Sequence, residues 1–244
     1  MRNLLLEISY NGINYHGWQV QSNAVTVQEK LQDAIESVFG SRGDVKGCSR
    51  TDSGVHANMF CCNFRTDKSI PAEKIPDALN ANLPFDISVK SCREMPYDFH
   101  ARYDCKGKEY VYRIWNGKSR NPFLDKLCYH YRYDIDVELL SREAMDFIGE
   151  YDFSAFCAAG SSVEDKVREI YSFDVKRVND EVLFIVRGNG FLYNMVRIMI
   201  GTLLDISSGK IEKGSIKNII ASKDRSQAGF TAPAEGLYLN CVYY

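Results

Sequence analysis

A chain of 244 residues with 45% apolar and 25% charged side chains is about 1.6 times a typical domain length and can bury a sizeable core. Its 17 glycines and 6 prolines exclude a collagen-like or disordered chain, and no run of 18 apolar residues marks a membrane span. The formal charge of -2, from 30 basic and 32 acidic residues, lacks the overall basicity common among nucleic-acid binders, although a local basic strip stays open.

Met1-Arg2-Asn3 runs straight into Leu4-Leu5-Leu6-Glu7-Ile8-Ser9-Tyr10, a strand ended by the turn signal Asn11-Gly12, with no apolar leader before it. A cytoplasmic protein is expected. Thr26 with Glu29 three residues later makes a capping box, Val27, Leu31, Ala34, Ile35 and Val38 share one helical face, and Gly40 ends that helix. A long strand over 54–65 follows, then a proline-bounded helix near 71–80 and a strand over 86–93.

A second series begins with a strand over 108–115, a helix over 137–148 with Asp136 as N-cap, and strands over 170–177 and 181–187. The helix expected over 192–206 is apolar nearly all round, with Leu192, Met195, Val196, Met199, Leu203 and Ile206 joined by Ile198 and Ile200, so it belongs in a core. Arg197 is the only charge between Gly188 and Leu204 and shares a side with Asn194 and Gly201. A cation buried there requires a partner. Residues 236–244 close the chain as a strand. The pattern predicts an α+β fold in two halves, 1–105 and 106–244. The eight cysteines are scattered, with one adjacent pair, Cys61-Cys62, and no CxxC, which suits reduced, mostly buried thiols better than a disulfide scaffold or a zinc site.

The loop Gly47-Cys48-Ser49-Arg50-Thr51-Asp52-Ser53-Gly54-Val55-His56 concentrates chemistry between two strands. Asp52, ionised near neutral pH, can attack an electrophilic carbon without a general base, yet Asp-Ser-Gly is also an ordinary turn. His56 reads either as an acid-base partner or as a strand histidine with a structural job. Arg102, Lys106 and Lys108 form the densest basic strip, which is either a solvated face or a phosphate contact.

Several blocks resemble the tRNA pseudouridine synthase A family over nearly the whole chain. They are Tyr10-Asn11-Gly12 with Tyr15-His16-Gly17-Trp18, the Arg50-Thr51-Asp52 loop, Leu79-Asn80-Ala81-Asn82-Leu83-Pro84, Phe99-His100-Ala101-Arg102, Lys108-Glu109-Tyr110-Val111-Tyr112-Arg113, Gly190-Phe191-Leu192-Tyr193-Asn194-Met195-Val196-Arg197 and Ala232-Pro233-Ala234-Glu235-Gly236. Ser49 and Ser53 stand where the family loop usually has Gly and Ala, small-for-small changes that leave Arg50 and Asp52 intact. The resemblance implies two ferredoxin-like halves with adjoining antiparallel sheets and a cleft between them. It implies a cofactor-free, metal-free isomerase acting as a homodimer on uridines 38 to 40 of the tRNA anticodon stem-loop. Asp52 matches the family nucleophile, Tyr110 the tyrosine that stacks on the target base, and Arg197 the arginine paired with the aspartate. Arg50, His56 and Arg102 complete the substrate-binding set so implied. Two other classes compete: an RNA-binding protein without catalysis, and an Asp/His or Ser/His hydrolase, which would need an orienting group and an oxyanion site that the sequence does not display.

Overall fold

The apolar run after Asn3 becomes β1 (Arg2–Tyr10), and the capping-box segment becomes α1 (Val27–Phe39). The Thr26 hydroxyl accepts the Glu29 amide at 3.3 Å, and Gly40 closes the helix in a left-handed conformation with its N–H on the Glu36 carbonyl. Both ends thus satisfy backbone groups that a helix leaves open. The buried face is Val27, Leu31, Ala34, Ile35 and Phe39; Phe39, rather than Val38, completes it. Then come β2 (Lys46–Gly47), β3 (His56–Thr66), α2 (Ile75–Asn80) and β4 (Ile87–Met95). Phe39 meets Phe64 of β3 edge-on, with ring centroids 5.3 Å apart.

The remaining elements are β5 (Gly107–Trp115), β6 (Tyr129–His130), α3 (Val137–Ala144), β7 (Gly149–Asp152), β8 (Val167–Val178), β9 (Glu181–Gly188), α4 (Met195–Ser207), α5 (Ile216–Ser222) and β10 (Leu237–Tyr243). In this computed structural model, which describes residues 1–161 and 163–244, the chain divides into two units: Met1–Lys106 with Tyr238–Tyr244, and Gly107–Leu237. The terminal strand joins the first unit, whereas a single cut near residue 105 leaves it with the second half.

In the first unit the strand order is β4-β1-β3-β10, with β2 on β3. β1 runs antiparallel to both neighbours, and β10 lies parallel to β3 through Tyr238 opposite His56 and Leu239 opposite Ala57. The second unit has the order β5-β9-β8-β7, antiparallel throughout, with β6 added parallel to β5. Mixed sheets with flanking helices make the fold α+β.

Two helix ends differ from the sequence pattern. α3 stops at Ala144 and tightens into a 3-10 turn over Met145–Phe147. α4 starts at Met195 because Asn194 takes a left-handed conformation at φ 59°, which places Leu192 in the preceding turn.

α4 is buried almost all round, as its composition requires. The chain near Gly229 crosses it so closely that a Cβ on Gly201 would collide with the Phe230 carbonyl oxygen. The Thr202 hydroxyl seals the crossing: it accepts the Gly229 amide at 2.9 Å and donates to the Ile198 carbonyl at 2.8 Å. Gly201→Ala is therefore expected to destabilise the protein by about 1–3 kcal/mol, since overpacking against backbone cannot be relieved by a rotamer change. Urea unfolding should show a lower midpoint at unchanged slope; a wild-type midpoint would contradict this crossing.

Candidate active site

In the first unit, the connection from β2 to β3 is tied down from both sides. The Cys48 amide donates to the Cys61 carbonyl at 2.8 Å, which keeps the start of the loop on the sheet. The Trp18 amide donates to the Thr51 carbonyl and the Gly54 amide to the Tyr15 carbonyl, each at 3.2 Å. Asp52 itself turns the chain, its carbonyl accepting the Val55 amide at 3.1 Å. Beneath it the buried Thr51 hydroxyl lies 2.9 Å from the Tyr10 phenol. Gly17 makes the close approach possible: it sits at φ 84°, where side chains are strained, and a Cβ would collide with the Thr51 carbonyl. The 12–18 segment is anchored in turn through the Tyr15 hydroxyl, which donates to Asp86 at 2.5 Å. Burial, and then that carboxylate, push the Tyr15 phenol well above its ordinary pKa.

His56 lies at the start of β3 and is only 1% exposed. Its Nδ1 accepts the Gly12 amide at 3.1 Å, and its ring stacks on Tyr238 with centroids 4.5 Å apart and planes at 19°. With Nδ1 an acceptor, the neutral ring carries its proton on Nε2. Both contacts hold the His56 ring beside the segment after β1 and the terminal strand. Asp52 is half-buried and Arg50 exposed, both on backbone fixed by the bonds above. Arg102 is exposed in the same unit, in a separate turn.

In the second unit, Tyr110 lies on β5 opposite Val186 of β9. It is 6% exposed, and its ring meets Phe191 edge-on at 5.1 Å. Arg197 occupies the first turn of α4. Its Nε donates to the Ala232 carbonyl at 2.7 Å and its Nη1 to the Asn194 side-chain oxygen at 2.8 Å, while its own carbonyl accepts the Ala232 amide at 3.0 Å. The adjacent Pro233 carbonyl accepts the Tyr112 hydroxyl at 2.8 Å. Burial holds that phenol well above its ordinary pKa, so it acts as a donor.

The structure therefore carries Arg50 and Asp52 on one loop with His56 at the start of the strand that follows, sets Arg102 on another turn of that unit, and places Tyr110 and Arg197 in the other unit. The supporting residues Tyr10, Tyr15, Gly17 and Trp18 lie within a block quoted from the sequence, but nothing there ties them to the Asp52 turn. Asn194 and Ala232 as partners of Arg197 had a weak signal, the shared helical side of 194 and 197. Among the described residues no group of three or more His, Cys, Asp or Glu side chains could hold a metal ion, and no helix is long and apolar enough to cross a membrane.

Comparison with known proteins adds an independent line. The model of the tRNA pseudouridine synthase family matches residues 8–104 and 144–244. The chain is 47% identical over 244 residues to a tRNA pseudouridine synthase A of Thermoanaerobacter sp., covering 100% of both chains. It is 48% identical, again over 244 residues and 100% of both, to the protein of that name from Acetivibrio thermocellus. Among solved structures it is similar to a chain of a Cbf5-Nop10-Gar1 complex, with 15% identity, a TM-score of 0.33, and coverage of 80% of this chain and 52% of that one.

The contacts of Arg197 generate a stability prediction. Arg197→Met removes the donors to Ala232 and Asn194 and is expected to cost about 1.5–3 kcal/mol, the range for hydrogen bonds from a charged group. Chemical denaturation reads this directly, and a variant as stable as the wild type would show that these two bonds do not stabilise the fold.

Proposed function

The chain belongs to the tRNA pseudouridine synthase family, and on that premise we propose that it isomerises uridine to pseudouridine at positions 38 to 40 of the tRNA anticodon stem-loop, with Asp52 as nucleophile. The reaction breaks the bond between C1′ of the ribose and N1 of uracil and makes one between C1′ and C5. The C5 proton leaves and N1 gains one, so nothing is oxidised or reduced. A carboxylate suits this chemistry because it can form and release a covalent adduct without a separate base to activate it.

The observation that carries this reading is the Asp52 turn, bonded through the carbonyls of Thr51 and Tyr15 to the 12–18 segment. A nucleophile held on fixed backbone loses little freedom on reaching its reacting geometry. Arg197 matches the family arginine whose charge keeps the catalytic aspartate ionised and oriented. Its bonds to Asn194 and Ala232 limit the directions its guanidinium can take. Tyr110 offers a ring to the extruded base; stacking of this kind is worth about 1–3 kcal/mol, comparable to the few kcal/mol that extruding a nucleotide costs. Arg50 and Arg102, both exposed, hold phosphates, so tRNA affinity falls as salt rises despite the slightly negative net charge. The same reading takes the two units as ferredoxin-like halves, and the working protein as a cytoplasmic homodimer.

The test is release of tritium from C5-labelled uridine in an unmodified tRNA transcript, with no added cofactor or metal. Release is expected from the wild-type enzyme and should vanish when positions 38 to 40 are all cytidine. Release that persists in that transcript would overturn the position assignment, and none from any tRNA would overturn the isomerase reading.

A further inference from the structure

Away from the Asp52 loop, the first unit carries a turn whose inner side is buried, with Phe99 and Ala101 in the core, and whose outer side faces solvent. Residues 96–101 wrap around two buried asparagines, Asn3 and Asn63, which are 1% and 4% exposed. The Asn3 amide donates to the carbonyls of Pro96 at 3.0 Å and Phe99 at 2.8 Å. The Asn63 carboxamide donates to the Asn3 side-chain oxygen at 2.9 Å and accepts the Ala101 amide at 2.8 Å, and the Tyr244 hydroxyl donates to the Ala101 carbonyl at 2.8 Å. The outer bend is closed by Asp104, whose carboxylate accepts the His100 amide at 2.7 Å. A fully bonded polar network of this kind rigidifies the backbone it holds.

The side chains displayed on that rigid turn are aromatic and cationic. Tyr97 and Tyr103 are 58% and 76% exposed, unusual for rings with so much apolar area. Each has a guanidinium over it: Arg65 lies 4.2 Å from the Tyr97 centroid and Arg102 lies 5.9 Å from that of Tyr103. Arg65 is fixed there by a 2.8 Å bond from its Nη2 to the Tyr97 carbonyl. His100 packs against Tyr103 with centroids 4.3 Å apart, and its Nδ1 accepts the Arg102 amide, so the neutral ring carries a proton on Nε2 and can donate it outward.

We propose that the 96–104 turn is a preformed RNA-contact surface, on which unpaired bases of the substrate stack on Tyr97 and Tyr103 while Arg65 and Arg102 take the adjoining phosphates. The inference rests on the reading of the chain as a tRNA-modifying enzyme and adds Tyr97, Tyr103, His100 and Arg65 to its binding surface. Exposed rings interleaved with cations fit an anionic polymer whose every unit has a π-face. A protein partner would instead favour a contiguous apolar patch.

The test is binding of an unmodified tRNA transcript to the full chain across a salt series, with turnover measured alongside. Tyr103→Ala should weaken binding about tenfold at unchanged salt dependence, whereas Tyr103→Trp should bind like the wild type, because stacking tolerates any aromatic. Arg65→Ala should lower the magnitude of the logarithmic salt slope by about one. Phe85→Ala, at a fully exposed ring elsewhere, serves as the control and should change nothing. Wild-type affinity and slope in both Tyr103→Ala and Arg65→Ala, with wild-type turnover intact, would overturn this surface and leave the functional reading standing. A wild-type protein that neither binds nor converts tRNA would overturn both.

Discussion

Two backbone bonds, from Trp18 to the Thr51 carbonyl and from Gly54 to the Tyr15 carbonyl, join the Asp52 turn to the segment after β1. Much of the first unit serves this junction. Gly17 must lack a side chain for the strands of the two loops to approach, His56 must spend its Nδ1 on the Gly12 amide, and Tyr10 must direct its phenol to Thr51. Each buried polar group so paired would otherwise cost about 1–3 kcal/mol, so the loop is held by bonds that are expensive to break singly.

The second unit meets a different constraint with a similar device. α4 is nearly all apolar and lies in a core, yet carries Arg197 in its first turn. Arg197 is half-buried, and a charge partly withdrawn from water needs polar partners. Here a left-handed Asn194 and the Ala232 carbonyl take two of its donors, and the return of the Ala232 amide to the Arg197 carbonyl locks helix and segment together. The arginine thus helps to build the fold and has its orientation fixed by doing so.

Local features were legible in the sequence because local physics decides them. The Thr26 cap, the left-handed stop at Gly40 and the Asp136 cap are realised in the structure, and the demand that Arg197 find a partner was readable from composition alone. What escaped depends on contacts distant in sequence. The parallel pairing of β10 with β3, which brings Tyr238 beside His56, leaves no trace in periodicity. Nor does the left-handed conformation at Asn194, which starts α4 three residues later than its apolar pattern. Asn3 and Asn63 read as ordinary polar members of strands, although their buried amides organise a surface turn. For the site, the Arg50-Thr51-Asp52 loop was legible as a cluster of reactive groups, but the bonds that hold its backbone come from residues 10–18.

The central claim is that Asp52 acts as the attacking carboxylate on a loop tied by backbone bonds to the segment after β1. Asp52→Asn keeps the size of the side chain and removes its nucleophilicity. Turnover of C5-labelled tRNA and tRNA affinity, measured on that variant beside the wild type, decide the matter. Loss of turnover with affinity and thermal stability retained is the result the account predicts. Turnover at the wild-type rate would contradict it.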